Sequence, residues 1–186
     1  MPLVAESGGE GVESDGAVVR AVLAGDVERF GVLVRRCRAE FGRYAVHMLG
    51  DSDAAADAMQ EALIRSYDSL ADCRDPDRFR PWFFRILANR CRTALSRTKD
   101  RAELGGLDLP ARERTDAALE RRELSERLGA ALARLSDEQR EAFVLKHVDG
   151  HSYEAMSELL GVGVDALKMR VYRARDALRA ALEVEA

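Results

Sequence analysis

The sequence lacks the features typical of secreted and membrane proteins. It has only three cysteines, which are far apart and form no CxxC pair. That number and spacing provide no disulfide framework and indicate reduced thiols, with Cys37 and Cys91 packed in cores. There is no apolar run long enough to cross a bilayer and no basic-then-apolar signal peptide at the N-terminus. We therefore expect a cytoplasmic protein that does not insert into membranes.

Signatures of catalysis and cofactor binding are also missing. We find no glycine-rich phosphate loop, nucleophile motif or set of metal ligands. His147 and His151 have the spacing of a helical metal pair, but Asp149-Gly150 lies between them and should break the helix. We therefore expect no enzyme activity, no metal and no cofactor.

Strand patterns are the third absence. Alternation of apolar and polar residues is nowhere sustained, and Ala, Leu, Arg and Glu dominate. The hydrophobic fraction of 47% supports real cores, while the charged fraction of 33% suits small helical domains with much surface. We predict an all-α fold of two small helical domains joined by a flexible linker, the second containing a helix-turn-helix.

Composition changes along the chain suggest the boundaries. The N-terminus is rich in Gly, Glu and Ser with little to bury, and Gly105-Gly106 and Pro110 interrupt the middle of the chain. The predicted segments are a disordered tail at 1–16, a first domain at 17–98, a linker at 99–118 and a second domain at 119–183.

Helical spacing defines elements within the first domain. One amphipathic helix carries Phe30, Leu33, Val34, Cys37 and Phe41. A second covers about residues 54–70, with Met59, Leu63 and Tyr67 inward. A loop is predicted at 71–80, and Pro81 suits the first turn of a helix that reaches about Arg97.

Charge is strongly segregated, although the net charge is only −4. Residues 51–62 contain four acidic side chains and no basic one, so we expect these acids to lack local counter-charges. Residues 74–99 contain eight basic and two acidic side chains. Such blocks indicate one surface for a cationic partner and another for an anionic partner.

The second domain contains a predicted helix-turn-helix. Ser136 and Gln139 form a capping-box pattern before it, Ser152 can cap its first helix, and Gly161 suits the end of that helix. The following helix, at 165–182, has one buried stripe, formed by Leu167, Val171, Ala174 and Leu178.

The outward face of that last helix suits a DNA major groove. Met169, Tyr172 and Arg173 lie opposite the buried stripe, where they can reach base edges. Lys168, Arg170 and Arg175 flank them, where they can reach phosphates. A solvated charged helix is the alternative, but the tight helix pair favours DNA binding.

The helix after Pro81 has a basic face suited to single-stranded DNA. The face carries Arg85, Asn89, Arg92 and Ser96, and Trp82 lies at its edge. The preceding loop adds Arg74, Arg78 and Arg80. Cations follow a DNA backbone, while aromatic and amide groups contact bases. Alternatively, Trp82 and Phe83 simply belong to the core.

The motifs together resemble the extracytoplasmic-function group of bacterial sigma factors. In the first domain they include Gly50-Asp51-Ser52-Asp53, Asp57-Ala58-Met59-Gln60-Glu61-Ala62, Trp82-Phe83 and Ala88-Asn89-Arg90. In the second they include Gly150-His151-Ser152-Tyr153-Glu154, Leu167-Lys168-Met169-Arg170 and Tyr172-Arg173-Ala174-Arg175.

The resemblance implies a promoter-specificity subunit of RNA polymerase. Its partners would be core RNA polymerase (the β′ clamp and the β subunit), promoter DNA and an anti-sigma factor. The region 2 domain would bind the core through Asp53, Asp57, Gln60 and Glu61. It would open the −10 element with Arg74, Arg80, Trp82, Arg85, Asn89 and Arg92. The region 4 domain would read the −35 element with Lys168, Met169, Arg170, Tyr172, Arg173 and Arg175.

Two other classes of protein compete with this interpretation. A conventional helix-turn-helix transcriptional regulator would bind duplex DNA without polymerase, but it leaves the basic helix with Trp82 unexplained. A pure interaction module could keep the acidic helix, but it would not require Arg85, Arg92, Arg170 and Arg173.

Overall fold

A computed structural model describes residues 13–103, 131–132 and 134–183. Residues 1–12 of the predicted tail, residues 104–118 of the predicted linker and residues 119–130 of the predicted second domain lie outside these residues. Among those described, the structure is helical and contains no strand, which confirms the predicted fold class.

The helices lie close to the positions that the sequence patterns predict, and short turns join them. We number the α-helices in chain order: α1 Asp15–Leu23, α2 Phe30–Leu49, α3 Ser52–Asp68, α4 Phe79–Glu103, α5 Asp137–Phe143, α6 Tyr153–Leu160 and α7 Val164–Glu183. Turns of 3₁₀ helix cover Val27–Arg29, Leu70–Asp72 and Pro76–Arg78, and a π-helical turn covers Val144–Val148.

Two helices extend beyond the predicted bounds of the first domain. Helix α1 begins inside the predicted tail, because the hydroxyl of Ser14 caps it by accepting a hydrogen bond from the Ala17 amide at 3.2 Å. Helix α4 begins two residues before Pro81 and continues to Glu103, so residues 99–103 of the predicted linker are helical.

Capping explains where several of the other helices begin or end. The Asp51 carboxylate accepts a hydrogen bond from the Ala54 amide and starts α3. Ser136 and Gln139 form the predicted capping box of α5. Gly50 ends α2 at a φ of 73°, a left-handed conformation that glycine adopts without a steric penalty.

An aromatic cluster between α2 and α4 forms the centre of the first domain. The ring of Phe84 lies 5.1 Å from Phe41 and 4.7 Å from Tyr44 between centroids, and all three side chains are buried. Cys37 and Cys91 are buried beside this cluster, as predicted. Burial raises the pKa of the Cys91 thiol to about 12, so it stays protonated and packs as an apolar group.

The second domain packs against this core. Leu145, Met156 and Leu167 belong to the same cluster of buried apolar residues as α2 and α4. Farther along α7, Ala174 and Leu178 pack in a smaller cluster with Leu135. The predicted stripe of α7 is therefore buried, but its two halves face different neighbours.

A buried polar contact joins the two domains. The Tyr44 hydroxyl donates a hydrogen bond of 2.9 Å to Oε1 of Glu141, whose side chain is only 3% exposed. An Nη atom of Arg92 lies 3.6 Å from the same oxygen. Burial raises the pKa of Glu141, and Arg92 and Tyr44 offset this effect only in part.

This carboxyl should make the stability of the protein depend on pH. Because its pKa is higher folded than unfolded, its contribution is greatest at acid pH and is lost as pH rises from about 4.5 through the raised value. Glu141→Gln should flatten this part of the slope. Urea unfolding between about pH 5 and pH 8 measures the difference.

Glu138→Gln is the matched control, because Glu138 is an exposed carboxylate on the same helix. Glu40, whose pKa is also raised by burial, should leave a residual slope in both variants. If Glu141→Gln kept the full wild-type slope, another group would be responsible for it.

Candidate nucleic-acid interfaces

The predicted helix-turn-helix is formed by α6 and α7. The Ser152 hydroxyl caps α6 by accepting a hydrogen bond from the Ala155 amide at 3.1 Å, and Gly161 ends it at a φ of 68°. On α7, the side chains of Met169 and Tyr172 are 49% and 64% exposed. Arg173 is exposed beside them. The structure therefore presents the predicted outward strip to solvent.

The cations that flank this strip differ in their surroundings. Lys168 and Arg175 are exposed, and Nζ of Lys168 lies 3.6 Å from the fully exposed carboxylate of Asp165. Arg170 is only 25% exposed and forms an ion pair of 2.9 Å with Glu138 on α5. Lys168 and Arg175 are thus accessible to a phosphate, whereas Arg170 is held by an acidic side chain.

The basic face of α4 is partly covered by the second domain. Arg85 and Asn89 are exposed, whereas Arg92 is half-buried beside Glu141. The guanidinium of Arg85 packs against the turn after α6: a methyl group built on Gly161 would lie 3.1 Å from its Nη2. The predicted single-strand surface and the helix-turn-helix are therefore in contact.

A cleft lies between the start of α4 and the loop before it. Its volume is about 240 Å³, and its lining includes Arg74, Arg78, Trp82 and Arg85. Trp82 is half-buried and lines the cleft, and its ring centroid lies 5.8 Å from that of Phe79. Trp82 thus packs on the core, as one alternative expected, and it also lines a cleft that contains three arginines and two aspartates.

Arg80 lies away from this cleft. Its Nε donates a hydrogen bond of 2.6 Å to Asp15, and its Nη1 lies 3.0 Å from Glu40. The hydrogen bond to Asp15 also raises the pKa of the Arg80 guanidinium. Because two carboxylates contact this cation, it is occupied within the domain. Of the predicted −10 residues, the structure brings Arg74, Trp82 and Arg85 together at the cleft and places Arg80 elsewhere.

The predicted acidic surface lies along the exposed side of α3. Asp53, Asp57, Gln60 and Glu61 are all exposed. The expectation that these acids lack a counter-charge was wrong for Glu61, because Nη1 of Arg90 on α4 lies 3.6 Å from its carboxylate. Residues 29 positions apart in sequence meet here only because α3 and α4 pack side by side.

An apolar groove next to this acidic surface was not predicted. It has a volume of about 460 Å³ and lies between α2 and α3, lined in part by Phe30, Val34 and Ile64. Tyr67 was predicted to point inward, but it is 43% exposed and its ring makes an edge contact with Phe30, 5.0 Å between centroids. A sequence signal was present: Ile64 follows buried Leu63 and must face another direction on the helix.

The two histidines considered as metal ligands lie in different surroundings. The ring of His147 packs on Phe143 at 5.0 Å, and His151 follows the turn at Gly150. Within the described ranges, no group of three or more potential ligands could hold a metal ion. In the same residues, none of the helices has the length and hydropathy needed to cross a membrane.

Two family models match the chain in the order of these domains. Residues 33–101 match the model described as Sigma-70 region 2, and residues 125–178 match the model described as Sigma-70, region 4. The first match contains α3 and nearly all of α4, and the second contains the helix-turn-helix.

Comparison with individual relatives and solved structures leads to the same family. The ECF RNA polymerase sigma factor SigM of Mycobacterium tuberculosis is 32% identical over 169 residues, covering 90% of this chain and 84% of the relative. The solved structure of CnrH in complex with the cytosolic domain of CnrY has a TM-score of 0.64 and 28% identity, covering 94% of this chain and all of the other.

A second solved structure is the sigma factor RpoE in complex with the anti-sigma factor NepR from Bartonella quintana. It has a TM-score of 0.54 and 25% identity, and the match covers 87% of this chain and 99% of the other. With an outward-facing helix-turn-helix, a cationic cleft and both regional matches in order, the chain belongs to the extracytoplasmic-function sigma factors of RNA polymerase.

Proposed function

We propose that this chain directs core RNA polymerase to promoters, reading the −35 element as duplex DNA and opening the −10 element. The observation that carries the proposal is the presence of two unlike cationic surfaces in one chain. One is a narrow exposed strip on α7, and the other is a face of α4 with an aromatic cleft. The narrow strip suits the groove of duplex DNA, and the cationic face with its aromatic cleft suits single-stranded DNA.

The −35 element would be read by α7. Met169 and Arg173 occupy the exposed strip that enters the groove, and Tyr172 stands beside them. Lys168 and Arg175 would contact phosphates on either side. Arg170 would have to exchange Glu138 for a phosphate, so we assign it a weaker contribution.

The −10 element would be opened at the cleft. Extruding a base from the duplex costs a few kcal/mol, so a pocket formed in advance has to offset that cost. Trp82 can stack on a base, Arg74 and Arg85 can neutralise the backbone, and the amide of Asn89 can contact a base edge. Arg92 would join them only after leaving Glu141.

Core polymerase would bind at α3. Asp53 and Asp57 expose carboxylates to a cationic partner surface, and Gln60 links them to the neighbouring apolar groove. An acidic strip beside an apolar groove combines electrostatic steering with a surface that can be desolvated. Because the compared RpoE structure contains an anti-sigma factor, we also propose that an anti-sigma factor binds this chain.

The two domains must separate for this function. The −35 and −10 elements lie about 25 base pairs apart, which is about 85 Å of B-form DNA. A compact chain of 186 residues has a radius of gyration of only about 16 Å. The packed arrangement therefore represents a closed state that covers part of α4, and promoter binding requires an open one.

The decisive experiment is transcription from a genomic DNA pool with purified core polymerase, with and without this chain. We expect discrete start sites that share two upstream elements. Tight sequence-specific binding of duplex DNA by the chain alone, with no effect on polymerase, would instead support the conventional helix-turn-helix regulator. The chain's net charge of −4 disfavours that alternative, because DNA phosphates repel a protein whose net charge is negative.

Reversing one charge on α3 should weaken core binding. Asp57→Lys places a cation where a cationic partner docks, and we expect about a tenfold loss of affinity, measured by fluorescence anisotropy at physiological salt. Asp68→Lys, at the exposed C-terminal end of the same helix, is the control and should bind normally. Equal affinities for both variants would refute docking at Asp57.

Substitutions in the two domains should respond differently to the state of the DNA. Arg173→Ala should cost about 1–3 kcal/mol at the −35 element if Arg173 makes a bidentate base contact, and Met169→Ala should impair the same step. Asn89→Ala and Arg85→Ala should impair opening. Open-complex formation on duplex and on premelted −10 templates separates these effects.

Premelted DNA should rescue part of the defect in Asn89→Ala and Arg85→Ala, because unpairing is already complete. It should leave the defect of Arg173→Ala unchanged. Identical behaviour of all four variants on both templates would contradict the division of labour between the domains.

Locking the two domains together should block function. Arg78 and Glu158 form an exposed ion pair of 3.5 Å between the domains, so cysteines at both positions can be joined by a short bis-maleimide. The cross-linked chain should fail to support promoter-directed transcription. The three native cysteines are buried, so reagent-treated wild type should stay active. Because Arg78 lines the cleft, the untreated double variant is the reference for the cross-linked one. An active cross-linked chain would show that the domains need not separate.

A further inference from the structure

We propose that α1 positions the loop that forms the −10 cleft, with Asp15 and Gly16 as its positioning residues. The inference rests on the proposed function, because it concerns how accurately the cleft selects a base. No residue of α1 lines the cleft, so we consider the effect that α1 has on the cleft through residues 75–80. Two separate contacts join α1 to these residues.

The first contact is a shared carboxylate. One oxygen of Asp15 accepts the hydrogen bond from Nε of Arg80, and the other accepts one from Arg36 on α2. The Asp15 side chain is only 12% exposed. Although burial opposes ionisation, the hydrogen bonds from Arg80 and Arg36 hold the pKa of Asp15 below its usual value. The charged carboxylate thus ties the start of α4 to α1 and α2 at one point.

The second contact is a close approach at Gly16. A methyl group on Gly16 would overlap the carboxylate of Asp77 and lie 3.1 Å from its Cα. That same carboxylate receives two hydrogen bonds of 3.2 Å from Arg20, one turn farther along α1. The absence of a side chain at Gly16 therefore allows Arg20 to hold Asp77 directly against the helix.

Both contacts lead to the wall of the cleft. The Asp77 amide donates a hydrogen bond to the side chain of Asp75, and the Asp75 carbonyl accepts one from Arg78. Asp75 and Arg78 line the cleft on one side, and Trp82 lies one turn into α4 from Arg78. A shift of residues 77 or 80 must therefore change the shape of the cleft.

This arrangement also gives Arg80 a role. The family resemblance predicts that Arg80 contacts DNA, but the guanidinium of Arg80 is occupied by Asp15 and Glu40. We infer that Arg80 holds the loop in place and leaves DNA contact to Arg74 and Arg85. A fixed loop excludes bases that do not fit, because their binding would require breaking these ion pairs.

The test measures base selection, which a general folding defect would not change selectively. On a promoter recovered with the wild-type chain, each −10 position is replaced by the other bases. The ratio of open-complex formation rates between the original and the best substituted base gives the discrimination. Asp15→Asn and Gly16→Ala are compared with Glu13→Gln, which removes a similarly short ion pair of 2.7 Å whose partner is Arg29 and not a residue of the loop.

We expect Asp15→Asn and Gly16→Ala to lower discrimination about fivefold, with normal core affinity and normal −35 preference. Glu13→Gln should behave as wild type. Arg20→Gln removes an exposed pair that folding does not require, so it should lower discrimination in the same direction by a smaller factor. Hydrogen exchange of the amides of residues 77–80 should accelerate in Asp15→Asn while the amides of α2 stay protected.

Wild-type discrimination in Asp15→Asn, Gly16→Ala and Arg20→Gln would overturn the inference. So would an equal loss of activity on every −10 sequence and on −35 variants, because that pattern indicates a general loss of structure. A wild-type chain that supports no promoter-directed transcription would refute the proposed function itself, and the positioning role would fall with it. The wild-type reaction therefore separates the two failures.

Discussion

The architecture depends on α4, which has one face that must be buried and an opposite face that must reach solvent. One face carries Phe83, Phe84 and Leu87 into the aromatic core, where close packing holds the helix rigidly against α2 and α3. The opposite face carries Arg85 and Asn89 into solvent. Because the buried face fixes the rotation of the helix, it also fixes where the cations point. Packing in the core thus determines the geometry of the surface that we assign to DNA.

The same surface also makes a polar contact with the second domain. A cationic face on α4 without a nucleic acid can be partly neutralised by the second domain, which supplies the carboxylate of Glu141. The arrangement is a compromise, because burial disfavours the charged form of Glu141 and the Nε of Arg92 is buried without a hydrogen-bond partner. This polar contact therefore adds little to the apolar packing between the domains, and the function that we propose requires that interface to open.

The first domain also contains ion pairs of a different kind. The contacts of Asp15 with Arg36 and Arg80 bridge three helices around one poorly exposed carboxylate. Arg78 and Glu158, at a surface that we assign to DNA, instead form an exposed ion pair of 3.5 Å. Exposed pairs contribute little to stability and exchange partners readily, whereas a shielded carboxylate with two arginines holds its neighbours in fixed positions. The molecule thus combines fixed and exchangeable charges within a few residues of each other.

Local patterns in the sequence were sufficient to predict much of the structure. The apolar spacing of α7 identified its buried stripe and hence its exposed strip, because helical geometry alone relates the two. The caps at Ser136 and Ser152 and the left-handed turn at Gly161 were predicted for the same reason, since each depends on a few neighbouring residues. The family resemblance also depended on short motifs within single helices.

Contacts between distant residues were decided only by the tertiary structure. The pairing of Glu61 with Arg90, the burial of Glu141 beside Tyr44 and the capture of Arg80 by Asp15 all join separate helices. Helical periodicity shows which way a side chain points on its own helix, but it carries no information about which helix lies opposite. The charge pattern therefore indicated which residues could contact DNA or polymerase, and packing decided which of those charges were already paired within the protein.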